Sequence, residues 1–373
     1  MLKYITDKIF RRFIMNNIIK AVNTFLPDEK ILSCENLGNG HINSTFLVTT
    51  DKDQYSLQII NTNIFKDVDG LMSNLQKVTH HIRKKAKTEG DDPQRVTLRF
   101  LPAPDGKRYL LIGDKAYRMY KYIDHVITIE KMENPEHFYS AGVAFGNFAQ
   151  ILSDFDASEL VETIKNFHNT VSRFGDFEKA ISDNLSNRLD EVEKEVEFIK
   201  ARREFMSMFV DRLENGTLPL RVTHNDTKIN NVLFDEETGA PAAVIDLDTV
   251  MPGSYLYDFG DAIRSGATHA AEDEKNLDLV DFDLELYEAF AKGYLSKCGS
   301  SLTPVEIEML PYASIMLTLE CGMRFLTDHL NGDTYFKIHR YGHNLDRTRT
   351  QLKLVYLMEQ NLDNMKAIIQ KYV

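Results

Sequence analysis

The stretch His224-Asn225-Asp226-Thr227-Lys228-Ile229-Asn230-Asn231, followed by Val244-Ile245-Asp246-Leu247-Asp248, decides how this chain is read. The first run has the spacing H-x-D-x-x-x-x-N, which sets a carboxylate and an amide in one loop as phosphoryl transfer requires. That reaction needs an acceptor hydroxyl held in line and cations held against phosphate oxygens, with little covalent help from the protein. Asp226 can accept the hydroxyl proton, and Asn231 and Asp246 can supply hard oxygen ligands to Mg2+. Lys228, two residues beyond Asp226, can reach the transferring phosphate. The bland alternative is a His-Asp pair capping a turn. Context favours the first reading. Leu218 to Thr223 reads as a short strand entering the loop and Val232-Leu233-Phe234 as the strand leaving it. Asp235 to Gly239 is a polar turn, and Pro241 to Ile245 is a returning strand that delivers Asp246.

Tyr257-Asp258-Phe259-Gly260-Asp261 holds the letters D-F-G, but Asp258 lies 32 residues after Asp226, whereas Asp246 lies 20 after it, one hairpin away. Asp258 is therefore expected to be structural, bonding backbone amides near the loop, because a buried carboxylate left unpaired is costly. His224 and Asp248 are read as structural with it. The alternative makes Asp258 the metal ligand.

His224 to Leu233 together with Val244 to Gly253 resembles the aminoglycoside phosphotransferase and choline kinase superfamily. Within it the chain is most similar to the N-acetylhexosamine 1-kinases, through Gly38-Asn39-Gly40-His41-Ile42-Asn43-Ser44-Thr45-Phe46, Cys321 to Asp328, and His343-Asn344-Leu345-Asp346-Arg347. The resemblance runs over roughly residues 30 to 360. It implies an α+β, protein-kinase-like bilobal fold with a small β-rich N-lobe and a larger helical C-lobe. It also implies an ATP- and Mg2+-dependent kinase acting on the anomeric hydroxyl of a free amino sugar. The expected division is an N-terminal helical extension over 1–30, a nucleotide-binding N-lobe over 31–122, and a catalytic and sugar-binding C-lobe over 123–373.

In the N-lobe, Gly38 and Gly40 let backbone amides approach phosphate without a Cβ in the way, and the turn runs on into Ser44 and Thr45. Met119-Tyr120-Lys121-Tyr122-Ile123 falls where a kinase passes between lobes, so Tyr120 and Tyr122 are expected to offer backbone groups to adenine. Gln58 stands at about the place of the lysine that kinases set against the α- and β-phosphates, a departure the hexosamine kinases share. It suggests the alternative of a non-catalytic kinase-like binding module, against which Asp226, Asn231 and Asp246 argue.

For the acceptor, the segment from Arg324 to Arg349 carries Arg324, Lys337, Arg340, Arg347 and Arg349 against Asp328, Asp333 and Asp346. The chain has no tryptophan to cage a cation. Guanidiniums suit a neutral polyol. By resemblance Arg324, Tyr335 and His41 contact the sugar, with Asp226 at its reacting hydroxyl. The alternatives are an Arg324–Asp328 surface pair, a bare turn at His41 and plain packing at Tyr335. Another sugar, an aminoglycoside, choline or homoserine is the runner-up acceptor.

Bulk properties agree. A net charge of −12 argues against nucleic acid or an anionic membrane as partner. No apolar run reaches the length of a membrane span, and three scattered cysteines fit a reducing cytosol. Nucleotide and sugar are the expected partners, with a monomer or small homo-oligomer. Ile5, Ile9, Phe13 and Ile14 are expected on one helix face. Leu71, Leu75, Val78 and Ile82 mark a helix over Asn74 to Lys87. Val96 to Leu101 and Tyr109 to Tyr122 alternate as strands, separated by a turn at Pro104-Asp105-Gly106. Leu185, Leu189, Val192, Val196 and Ile199 read as one helix of the C-lobe.

Overall fold

Alternating side chains in the first third of the chain build an antiparallel sheet in the computed structural model, which describes residues 15–37, 43–130 and 134–373 of the protein. The chain divides after His125 into two units. In the first, helix α1 (residues 15–25) precedes β1 (Ile31–Asn36), β2 (Ser44–Thr50) and β3 (Gln54–Ile60). Then come α2 (Val68–Glu89), β4 (Leu110–Ile112) and β5 (Lys115–Lys121), giving the sheet order β1-β2-β3-β5-β4. Val48, Leu57 and Met119 point to one face, where Ile18, Val22 and Phe25 of α1 cover them. The expected apolar face Ile5, Ile9, Phe13 and Ile14 lies outside the described residues. Strand side chains alternate faces, so Thr45, Gln58 and Arg118, paired in that order across β2, β3 and β5, line the other face.

Helix α2 is longer than its periodicity indicated: the Asp67 side chain accepts from Gly70 N, and Gly90 ends it with φ +89°. Leu71, Leu75, Val78 and Ile82 are buried. Tyr109 to Tyr122 is two strands, not one, because Gly113 turns left-handed at φ +64°. Val96 to Leu101 forms no strand and contributes a single bridge, Phe100 to Tyr120.

The second unit opens with β6 (Val126–Ile127), α3 (Pro135–Ile151) and α4 (Thr170–Asp183). Short helices α5 (Glu193–Lys200), α6 (Arg203–Met206) and α7 (Met208–Glu214) follow. The expected single helix through Leu185 to Ile199 is broken, since Asn184 and Asn187 adopt φ of +38° and +55°; both favour the left-handed region more than most residues. Next come β7 (Arg221–Thr223), β8 (Val232–Asp235), β9 (Pro241–Val244) and β10 (Met251–Gly253). They form two small sheets, β6-β8-β9 and β10-β7. The rest is helical: α8 (Tyr255–Gly266), α9 (Leu284–Cys298), α10 (Pro304–Leu330), α11 (His343–Gln360) and α12 (Leu362–Gln370).

Helices α3 and α9 cross at backbone contact. A Cβ at Gly142 or Gly146 would strike the carbonyls of Phe290 or Tyr294, and one at Gly293 that of Tyr139. Helix α8 presses on α10 in the same manner, with Gly260 against the Ala313 carbonyl. Among the described residues no helix is long and apolar enough to cross a membrane. The molecule is thus α+β, with a β-sheet N-terminal unit and a larger helical C-terminal one.

Candidate active site

The loop between β7 and β8 holds His224, Asp226, Lys228 and Asn231, and helix α8 shapes it. Asp258 Oδ2 accepts the His224 amide at 2.9 Å and Oδ1 the Asn225 amide at 2.7 Å. Asp261, one turn later on α8, accepts the Thr227 amide at 2.9 Å. Asn225 takes a left-handed φ of +64° and donates its side-chain amide to Thr249 O at 2.8 Å. Thr249 Oγ1 returns a bond to His224 O at 2.6 Å. Asp258 is thus occupied by backbone amides. Burial raises its carboxyl to about 6, against the pull of the nearby His224 imidazole and those two amides.

His224 is fully buried, edge-on to Phe145 and Phe148. Its Nε2 donates to Ile245 O at 2.8 Å and its Nδ1 accepts from Asp226 N at 3.3 Å, which assigns the ring proton to Nε2. The imidazole therefore ties the loop to the residue before Asp246. The hairpin adds a second tie: Val232 pairs with Val244, and Ile245 N donates to Asn231 O at 2.9 Å. Asn231 and Asp246 are brought together by that register. Asp246 is exposed, at a left-handed φ of +55°, whereas Asp248 is buried.

Asp226 and Lys228 form an ion pair at 2.8 Å, each partly exposed. Burial opposes ionisation of Asp226, but the Lys228 ammonium, the His224 ring and the Asn231 amide outweigh it and hold the carboxyl at about 2. Asp226 likewise raises the Lys228 ammonium. Asn231 Nδ2 donates to Asp226 O at 2.7 Å and to its Oδ2 at 3.2 Å, so the amide oxygen Oδ1 is the atom Asn231 has left for a cation. An amide oxygen and an exposed carboxylate on adjoining ends of one hairpin are the donor types that suit Mg2+, which is usually bound by one or two such groups together with substrate phosphates.

The C-terminal candidates gather around a second carboxylate. Asp328 accepts the amides of Thr334, Tyr335 and Phe336 at 2.8 to 2.9 Å and the Asn344 side chain at 2.8 Å. It does not pair with Arg324. The Arg324 guanidinium lies instead 5.3 Å from the ring centre of Phe167, 5.6 Å from Phe336 and 6.0 Å from Tyr335. The neighbouring cations are engaged: Arg340 pairs with Asp273 and Asp346, and Arg349 with Glu195. A hollow of about 380 Å³ opens beside Asn225, Tyr257 and Phe167, but neither Asp226 nor Lys228 lines it.

In the N-terminal unit, Ser44 and Thr45 open β2, while Gly38, Gly40 and His41 lie outside the described residues. The Tyr122 amide donates to Gln54 O at 3.0 Å, so of its two backbone groups the N–H is already used within the sheet. Tyr120 sits in β5 with its backbone opposite Ser56.

A model of the phosphotransferase enzyme family, APH, matches residues 33–294, well over half of the chain. The chain belongs to that family. Three solved structures share the fold of this phosphotransferase. An aminoglycoside phosphotransferase from Alicyclobacillus acidocaldarius has TM-score 0.62 at 14% identity, with 94% of this chain and 96% of that one covered. A microcompartment-associated aminopropanol kinase has TM-score 0.52 at 17% identity, with 91% and 94% covered. A spectinomycin phosphotransferase complexed with ADP and spectinomycin has TM-score 0.54 at 10% identity, with 90% and 96% covered. The architecture is thus the protein-kinase-like one.

Two residues of the phosphotransferase's loop support escape a reading by spacing. Arg264 is buried and holds Asp261 through Nε and Nη2 at 2.9 Å, with Glu272 at 3.2 Å. Asp258, Asp261 and Arg264 recur every three residues on one face of α8, a periodicity of charge that could have marked them.

Proposed function

We propose that this phosphotransferase is an ATP- and Mg2+-dependent kinase that phosphorylates the anomeric hydroxyl of a free N-acetylhexosamine. The observation that carries the acceptor class is Arg324, a guanidinium set among three aromatic rings while the nearest acid on its helix face, Asp328, is taken up by backbone amides. Arg173 lies within electrostatic range of it. Two guanidiniums repel an ammonium acceptor and donate readily to hydroxyl and acetamido oxygens. The aminopropanol kinase is named for an amine-bearing acceptor, whose charge the Arg324 and Arg173 guanidiniums of the present chain would oppose. ADP in the spectinomycin enzyme supports nucleotide use here.

Asp226 takes the acceptor proton. A carboxylate held near 2 is a weak base, which suits a loose transition state in which the hydroxyl loses its proton late. Lys228 has three N–H donors and places one on Asp226, so the others can meet a phosphoryl oxygen. Asn231 and Asp246 would hold Mg2+, which when bound neutralises charge on the phosphate oxygens. Ser44 and Thr45, with the glycine turn before them, bind the nucleotide phosphates.

The test is Mg-ATP with free N-acetylglucosamine, N-acetylgalactosamine, other sugars, choline, homoserine, aminopropanol and aminoglycosides, the product linkage being read by phosphorus NMR. Turnover of a hexosamine to its 1-phosphate is expected. Arg324→Ala should raise the acceptor KM roughly tenfold or more with the nucleotide KM unchanged, as loss of a charged hydrogen bond predicts. Turnover of an ammonium acceptor but no sugar would sink the proposal.

A further inference from the structure

The N-terminal unit lacks a lysine on β3 where Gln58 stands, yet a cation is present directly across the sheet. Arg118 on β5 pairs in register with Gln58 and is only 2% exposed. Its Nε and Nη2 both donate to Gln58 Oε1, at 2.8 and 2.7 Å. A guanidinium has no acceptor atom, so this fork fixes which way the Gln58 amide faces. The amide nitrogen then points to β2 and donates to Thr45 Oγ1 at 3.0 Å. The Phe100 ring, 5.6 Å from the guanidinium carbon, holds the plane of the Arg118 head group.

Resting on the kinase reading above, we infer that Arg118, Gln58 and Thr45 together replace the phosphate-pairing lysine. Arg118 is a positioning residue that supplies positive charge from behind, and Gln58 and Thr45 are the groups that meet the nucleotide phosphates. Three features make the arrangement work. The guanidinium stays charged at any physiological pH. Its two bonds to Oε1 polarise the Gln58 amide and strengthen the N–H groups on its far side. Gln58 has two such N–H groups, one on Thr45 and one to give to an oxygen, and the Thr45 hydroxyl proton is likewise free to turn toward an anion. The row begins at Thr45, five residues after Gly40 of the glycine-rich stretch in which phosphate binding is expected.

The experiment is calorimetric titration of the full chain with adenosine, ADP and ATP in the presence of Mg2+. Wild-type protein should bind ADP and ATP more tightly than adenosine. Arg118→Met should lose roughly tenfold or more in ADP and ATP affinity, with adenosine affinity unchanged. Adding Gln58→Lys to that variant should restore phosphate-dependent affinity, because an ammonium on β3 then does what the row did. If Arg118→Met does not fold, Gln58→Met tests the same row and should show the same selective loss. ADP affinity intact in these variants, or adenosine affinity falling in parallel with ADP, overturns the inference while leaving the kinase reading in place. Wild-type protein that binds no nucleotide overturns that reading, and this inference with it.

Discussion

Two loops of the larger unit are moulded by the same device and put to different ends. The loop 223–231 hangs on Asp258 and Asp261 of α8, which accept three of its amides. The loop 331–342 hangs on Asp328 of α10, which accepts the amides of Thr334, Tyr335 and Phe336. In each case a helix-borne carboxylate replaces the water that backbone N–H groups would otherwise need. The first loop then displays its own carboxylate, Asp226, braced by Lys228. The second leaves a cation, Arg324, without a carboxylate partner among the described residues. Asp258, which carries the letters D-F-G, has both carboxylate oxygens on backbone amides, whereas Asp226, the base in the proposed reaction, holds only Lys228 and the Asn231 side chain among the described residues.

The sharpest way to break this comparison is at the displayed carboxylate. Asp226→Asn should leave the melting temperature and nucleotide binding near wild type and lower kcat by about 10²–10⁴-fold, the range of a positioned base. A variant with near-normal kcat would move the base elsewhere. The organising carboxylates should respond in stability. Asp258→Asn and Asp328→Asn each set an amide NH2 against a backbone N–H and should cost about 2–4 kcal/mol in chemical denaturation. Where folded, the first should reduce kcat and the second should raise the acceptor KM. Identical kinetic signatures from the two would dissolve the distinction.

Lys228 provides a pH test. Asp226 is held below its unfolded value, so the stability it gains from its ionised form is complete above about pH 4 and is lost as pH falls toward 2. The wild-type kcat/KM should therefore show no acid limb from Asp226 above about pH 4. In Lys228→Met the ammonium is gone while burial still opposes ionisation, so an acid limb should emerge at or above the ordinary carboxylate range near 4. An unshifted profile would mean that Lys228 does not set the charge state of Asp226. The smallest effect expected is that of salt. A neutral acceptor should keep nearly the same KM from low to high ionic strength, whereas a cation drawn to a chain of net charge −12 should show KM rising with salt.

The loop spacing and the returning hairpin were legible because each depends on local order: apolar runs, a polar turn and fixed intervals between side chains. Register then makes Asn231 and Asp246 neighbours with no further information. The long helix α2 was legible for the same reason, through Leu71, Leu75, Val78 and Ile82. The break near Leu185 was not, because the apolar periodicity starts just after one left-handed asparagine, Asn184, and runs on through a second, Asn187, that interrupts the backbone. The strand pair β4–β5 was misjudged likewise, a single glycine at 113 dividing a run whose alternation is otherwise even.

What sequence by itself determined is the class of chemistry: an H-x-D-x-x-x-x-N loop, a second aspartate one hairpin on, and a β-rich start followed by helices. Only the tertiary structure decided who holds whom. That Asp328 faces amides and not Arg324, that Arg264 stands behind Asp261, and that Arg118 pairs with Gln58 are choices among partners from 3 to 60 residues apart in sequence. A charged side chain buried on folding must find a partner of opposite charge or a set of donors. The sequence states the demand, but the geometry of the packed helices and of the sheet determines which candidate meets it.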